Sequence, residues 1–133
     1  SDADQLENTL NEIYEDTKSV HIFMILNINS ILNKLNVTDK GRITGLLDKV
    51  KSKTNVKIIV VDTIDNIKTI SYEPWFKTNV SLSEGIWLGN GIANQFTLKV
   101  TTSSRVLRAE VETNFGYVIT KGKAALTKWI TEE

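Results

Sequence analysis

The run Val20-His21-Ile22-Phe23-Met24-Ile25-Leu26-Asn27-Ile28-Asn29-Ser30 constrains the fold more than any other stretch of the chain. It is apolar almost throughout, rich in branched and aromatic side chains, and too short to span a membrane. Asp16-Thr17-Lys18-Ser19 precedes it and an amphipathic segment follows. This profile predicts a strand buried on both faces, in the middle of a parallel sheet under helices. In open α/β sheets, chemistry gathers just past the carboxyl ends of such strands. Here that position carries Leu26, Asn27 and Asn29, and no carboxylate.

The 133 residues are the length of one domain and enough to enclose a single core. Lysine and arginine, 16 together, balance 16 aspartates and glutamates, so charge gives no argument for nucleic acid as a partner. The absence of cysteine excludes disulfides and thiolate metal sites, and the single histidine, His21, leaves little for an imidazole cluster. No metal site is expected. No run approaches the roughly 18 apolar residues of a membrane helix, so direct membrane insertion is not expected either. Ser1-Asp2-Ala3-Asp4 is acidic and polar, without a signal-peptide pattern, and the chain is expected to be a piece of something longer.

Leu6, Leu10, Ile13 and Thr17 recur at helical spacing, with acids ahead and Lys18 behind, predicting a helix over 3–18. Ser30 is placed to cap a short turn through Ile31, Leu32 and Leu35. Ile43, Leu46, Leu47 and Val50 repeat at i, i+3, i+4, i+7, predicting a helix over 42–51 that Asn55 breaks. Val56-Lys57-Ile58-Ile59-Val60-Val61 is a second buried-type strand, so strand, helix, strand implies a parallel pair. Pro74 opens a helix through Trp75, Phe76 and Val80. Ile86 to Leu88 and Gln95 to Val100 read as strands around a Gly89-Asn90-Gly91 turn, and 105–112 as helix-compatible. Residues 117–120 and 125–130 flank Lys121-Gly122-Lys123, a hairpin signal. The fold class expected is α/β: a small parallel sheet flanked by helices, with an antiparallel carboxyl-terminal hairpin.

Strand 20–29, helix 42–51, strand 56–61, Gly85-Ile86-Trp87-Leu88-Gly89 and the Gly116 to Lys123 hairpin come in an order that resembles the carboxyl-terminal half of P-loop motor domains of the FtsK/SpoIIIE kind. More narrowly, it resembles the last ATPase-like domain of type VII secretion motors of the EssC (YukB) kind. The resemblance implies a RecA-like P-loop NTPase fold lacking the P-loop, with residues 1–133 as a single degenerate domain. In that family the corresponding strand ends in an acidic Walker B pattern such as Ile-Asp-Asn-Ile-Asp-Ser. Ile25 to Ser30 reads Ile-Leu-Asn-Ile-Asn-Ser, which makes Leu26, Asn27 and Asn29 the degenerate Walker B positions. No Walker A sequence Gly-x-x-x-x-Gly-Lys-Ser/Thr occurs in the chain. An amide cannot match a carboxylate's charge toward magnesium, so the ATP and Mg of the family are not expected here and the chain is not expected to be an enzyme. The resemblance implies a cytoplasmic domain of a membrane-anchored protein, with small helical secreted proteins or neighbouring ATPase domains as partners.

Each candidate site also has a structural reading. Asn27 and Asn29 end a strand and cap the next turn, or are relics of an acidic site. His21 reads as hydrogen-bonded structure rather than a base. Asp62 and Asp65 follow a strand as receiver-type aspartates do, but with no acidic pair in the matching order they read as helix caps. Gly89-Asn90-Gly91 lacks the third glycine of a dinucleotide fingerprint and reads as a turn. Lys49, Lys51 and Lys53 read as a solvated helix end. No nucleophile-elbow spacing connects serine, histidine and aspartate. Tyr72, Trp75 and Phe76 cluster around Pro74; with two of these rings in solvent they would form a partner-binding anchor, and otherwise they are the face of a helix packed on the sheet.

Two functions from different classes follow. The first is a non-catalytic domain of a type VII secretion motor, acting in substrate recognition or regulation of neighbouring motor domains through Tyr72, Trp75 and Phe76. The second is the nucleotide-binding half of an ATPase domain whose Walker A lies outside this chain. A stand-alone small α/β protein remains open beside them.

Overall fold

The computed structural model describes residues 2–130, in two compact units, one ending at Val80 and the other beginning at Ser81. The class is mixed α/β, with a parallel two-stranded sheet in the first unit and an antiparallel three-stranded sheet in the second.

The first unit runs α1 (Asp2–Glu15), β1 (His21–Leu26), α2 (Ile28–Asn33), α3 (Val37–Asp48), a 3₁₀ turn (Lys49–Ser52), β2 (Val56–Val61), α4 (Ile64–Ile70) and α5 (Pro74–Asn79). Helix α1 stops short of the expected 18 because Asp16 Oδ1 accepts the backbone N–H groups of Lys18 and Ser19, at 2.9 and 3.2 Å. That local turn competes with the helical ladder. Helix α3 starts earlier than expected because Asn36 caps it, its Oδ1 accepting the Asp39 N–H at 2.8 Å. Ile43, Leu46 and Leu47 are buried on α3, and Val50 falls in the 3₁₀ turn. The Tyr14 hydroxyl donates to the Leu46 carbonyl at 2.6 Å, and Glu7 pairs with Arg42 at 3.2 Å, so α1 and α3 are held together by both a buried and a surface contact. Lys40 and Glu73 form an ion pair at 3.1 Å between α3 and the start of α5.

β1 and β2 pair in parallel, His21 opposite Val56 through Leu26 opposite Val61. This is the crossover pair the sequence predicts, but the predicted burial is corrected. Side chains alternate across a strand, so one face carries His21, Phe23, Ile25, Val56, Ile58 and Val60. On that face Ile25 and Val56 are buried and the others half-buried. The opposite face carries Ile22, Met24, Leu26, Lys57, Ile59 and Val61, all exposed. Among the described residues β1 has β2 as its one neighbour, so it is a rim strand rather than the middle of a sheet. The strand also ends at Leu26 instead of running on to Asn29. Asn27 takes a left-handed conformation, φ 57°, which asparagine tolerates better than most residues, and the chain turns there into α2.

The second unit runs β3 (Gly85–Leu88), a 3₁₀ turn (Ile92–Asn94), α6 (Ser104–Leu107), β4 (Phe115–Thr120) and β5 (Lys123–Lys128), in sheet order β3-β4-β5. The β4–β5 hairpin forms where expected, and Lys121 and Gly122 both have positive φ, as a type I′ connection requires. Ile92, Leu107, Tyr117 and Ile119 make the core, with Trp87, Leu98, Val100 and Val111 packed against it. The strand expected at 95–100 is irregular instead. The Gln95 side chain accepts the Leu98 N–H at 2.7 Å and donates to the Ile92 and Leu98 carbonyls, replacing ladder bonds with a local knot. The helix-compatible stretch 105–112 is helical only to Leu107, and beyond it Val111 N–H is drawn to Asn90 Oδ1 at 2.7 Å.

Candidate functional site at the carboxyl ends of the parallel strands

The carboxyl ends of β1 and β2 lie side by side because the two strands run in register, and Asn27 N–H donates to the Val61 carbonyl at 3.1 Å. Helices α2 and α4 start from these ends. Their first turns bring together Asn29, Asp62, Thr63 and Asn66.

Asn29 Nδ2 donates to Asn66 Oδ1 at 3.1 Å, and Asn66 Nδ2 donates to Asp62 Oδ1 at 2.8 Å. The same Asp62 oxygen accepts the Thr63 N–H at 2.8 Å. Asp62 Oδ2 is shut off from solvent with no hydrogen-bond partner among the described residues. The Thr63 hydroxyl caps α4 by accepting the Asn66 N–H at 3.3 Å. This corrects the expectation that Asp62 or Asp65 is the cap: Asp62 lies one residue too early and Asp65 lies within the first turn. Asn66 escapes a motif search because its importance is set by Asn29, 37 residues away, although Thr-x-x-Asn is a legible capping spacing.

The three degenerate Walker B positions therefore separate. Leu26 turns its side chain to the exposed face, Asn27 makes the left-handed turn into α2, and Asn29 alone joins the polar network. No group of three or more histidine, aspartate, glutamate or cysteine side chains that could hold a metal occurs among the described residues.

His21 lies at the opposite end of β1. Its Nε2 is 2.8 Å from Asp16 Oδ2, and its backbone N–H donates to the Asn55 carbonyl at 2.7 Å. Asn55 Nδ2 in turn donates to the carbonyls of Asp16 and Ser19. The histidine is part of the clasp that starts the strand. The backbone bonds from Lys18 and Ser19, with the His21 contact, hold the Asp16 carboxyl well below the usual carboxylate range.

The aromatic cluster is corrected. Trp75 and Phe76 are 1% and 2% exposed and meet edge to face, with ring centroids 5.7 Å apart. Proline at the first position of α5 starts the helix as expected, but the helix turns both rings inward. Only Tyr72, 69% exposed, remains available to a partner.

In the second unit, Gly89-Asn90-Gly91 forms a turn, both glycines having positive φ. Trp87 Nε1 donates to the Asn90 carbonyl at 3.1 Å. A half-open cavity of about 280 Å³ lies beside it, lined in part by Asn90, Asn94, Leu107, Arg108 and Glu110.

No protein-family model, curated protein or solved structure matches the chain. Among the described residues no helix is long and apolar enough to cross a membrane.

Proposed function

We propose that this chain is a non-catalytic, ATPase-like domain of a type VII secretion motor, with a degenerate RecA-like fold that acts in substrate recognition or in regulating neighbouring motor domains. The observation that carries this reading is that Leu26 and Asn29 stand where the family pattern has its carboxylates, and that Asn29 and the neighbouring Asn27 are both engaged in holding the fold. Asn27 is spent on the turn into α2, and Asn29 is spent on Asn66. The first is a use of the backbone and the second of a side-chain amide, and neither supplies the charge that a metal–triphosphate requires. The partners are small helical secreted proteins or an adjoining ATPase domain, and Tyr72 is the aromatic residue of the predicted cluster free to meet them. The domain works on the cytoplasmic side of a membrane-anchored protein.

The second reading, the nucleotide-binding half of an ATPase domain completed from outside this chain, is favoured by one feature. Asp62 Oδ2 is a carboxylate oxygen at the carboxyl end of a parallel strand with no hydrogen-bond partner among the described residues. Calorimetric titration with ATP and magnesium decides between the two readings. Absence of heat at millimolar nucleotide supports the binding domain. Micromolar binding that Asp62→Asn abolishes overturns it in favour of the second.

A further inference from the structure

The outer face of the β1–β2 pair has no counterpart in the chemistry proposed above. Parallel sheets are ordinarily covered on both sides, because helices or further sheet are needed to remove their apolar side chains from water. Here Ile22, Met24, Leu26, Ile59 and Val61 share one face and are 69%, 56%, 57%, 43% and 42% exposed. Val20, just ahead of β1, is exposed as well. Lys57, beside Ile22 at the margin, is the one charge on the face, and its stem can lie along the apolar edge with its ammonium in water.

We infer that this face is a self-association surface, on which two copies of the chain pack sheet against sheet about a two-fold axis. Complete burial of Ile22, Met24, Leu26, Ile59 and Val61 would remove at most roughly 500 Å² per copy, about 1,000 Å² for a symmetric pair, which reaches the lower limit for a specific interface. A second copy supplies an equal area of the same aliphatic chemistry, and a two-fold pairing brings each such patch onto its own equivalent. Aligned sheets pack about 10 Å apart through interdigitating side chains, which needs no groove and no charge pair. Ile, Leu, Met and Val with a single marginal lysine meet that requirement. An interface of this size belongs with weak, exchanging dimers rather than permanent ones. The inference does not depend on the proposed function, since it uses neither the asparagine network nor Tyr72.

Sedimentation velocity over a range of concentrations tests it. The expected result is a shift from the 14.9 kDa monomer to twice that mass. Met24→Lys or Ile22→Lys should abolish the shift, with the far-ultraviolet circular dichroism unchanged. Phe96→Lys, at an exposed position in the second unit, should leave it intact. A wild-type chain that stays monomeric at its highest soluble concentration overturns the inference. So does a dimer that survives both face substitutions, or one that Phe96→Lys abolishes, or an open ladder of larger species.

Discussion

Asn29 and Asn66 meet amide to amide at 3.1 Å across the carboxyl ends of β1 and β2, and this contact joins the first turns of α2 and α4. Asn66 also donates to Asp62, so Asn66→Ala removes two side-chain hydrogen bonds at once. The expected loss is about 1–2 kcal/mol of unfolding free energy, read as a lower urea midpoint. Asn66→Asp should cost at least as much, since it places a second carboxylate against Asp62.

Trp75 and Tyr72 should behave oppositely although three residues apart. Trp75→Ala empties a fully buried site and should cost about 3–5 kcal/mol. Tyr72→Ala should stay within about 0.5 kcal/mol of the parent. Thermal melts of the two variants check the contrast, and a Tyr72→Ala change that unfolds the chain would contradict the exposure of its ring.

Burial pushes the Tyr14 hydroxyl up to about 12 from its ordinary 10.0. The folded state therefore keeps a proton that the unfolded chain releases, so this contribution is complete below pH 10.0 and declines as pH rises toward about 12. Tyr14→Phe loses the bond to the Leu46 carbonyl, at about 1 kcal/mol. It should also show a shallower fall in stability through that alkaline window, measured by urea denaturation at successive pH values.

Asp16 has the opposite sign. Its folded-state carboxyl is held below the usual range, so its contribution is present above the ordinary carboxylate pKa and is lost as pH falls through and below it. Asp16→Asn should destabilise the chain at neutral pH. It should also flatten the acid limb of the stability profile, while His21→Gln, which keeps the two backbone bonds to Asp16, should flatten it less.

Gly116 on β4 is required by packing rather than by its dihedral angles. A Cβ there would run into the Trp87 carbonyl and lie 2.9 Å from Trp129 Nε1. Gly116→Ala should force β3 away from β4 and cost about 1–3 kcal/mol, with loss of near-ultraviolet tryptophan signal as a second readout.

Elements whose signals are local were legible in the sequence. The branched run 56–61 gave β2 its observed limits, Pro74 gave the start of α5, and Lys121-Gly122 gave the hairpin. Boundaries set by side chains reaching back to the backbone were not legible. Asp16 ends α1 early, Asn36 starts α3 early, and Gln95 breaks up a stretch that alternates like a strand. The burial of β1 was misread for a different reason. An apolar run says that both faces of a strand are hydrophobic, but not that something covers both. At the site, a cap or turn role for Asn27 and Asn29 was readable from residue type, whereas the Asn29–Asn66–Asp62 chain depends on two strands lying in register. Trp75 and Phe76 could be placed on a helix, but their orientation depended on where α3 lay.

The two sheets also set a timetable for folding. β4 and β5 are separated by two residues, Lys121 and Gly122, and such hairpins close within microseconds. β1 must wait until residues 27–55 have been laid down and looped back before β2 can reach it, and closure over that distance is slow. A ribosome releasing this chain would expose the largely apolar ribbon 20–26 unpaired for some time before its mate emerged, and a chaperone that binds short extended apolar segments would find its target there.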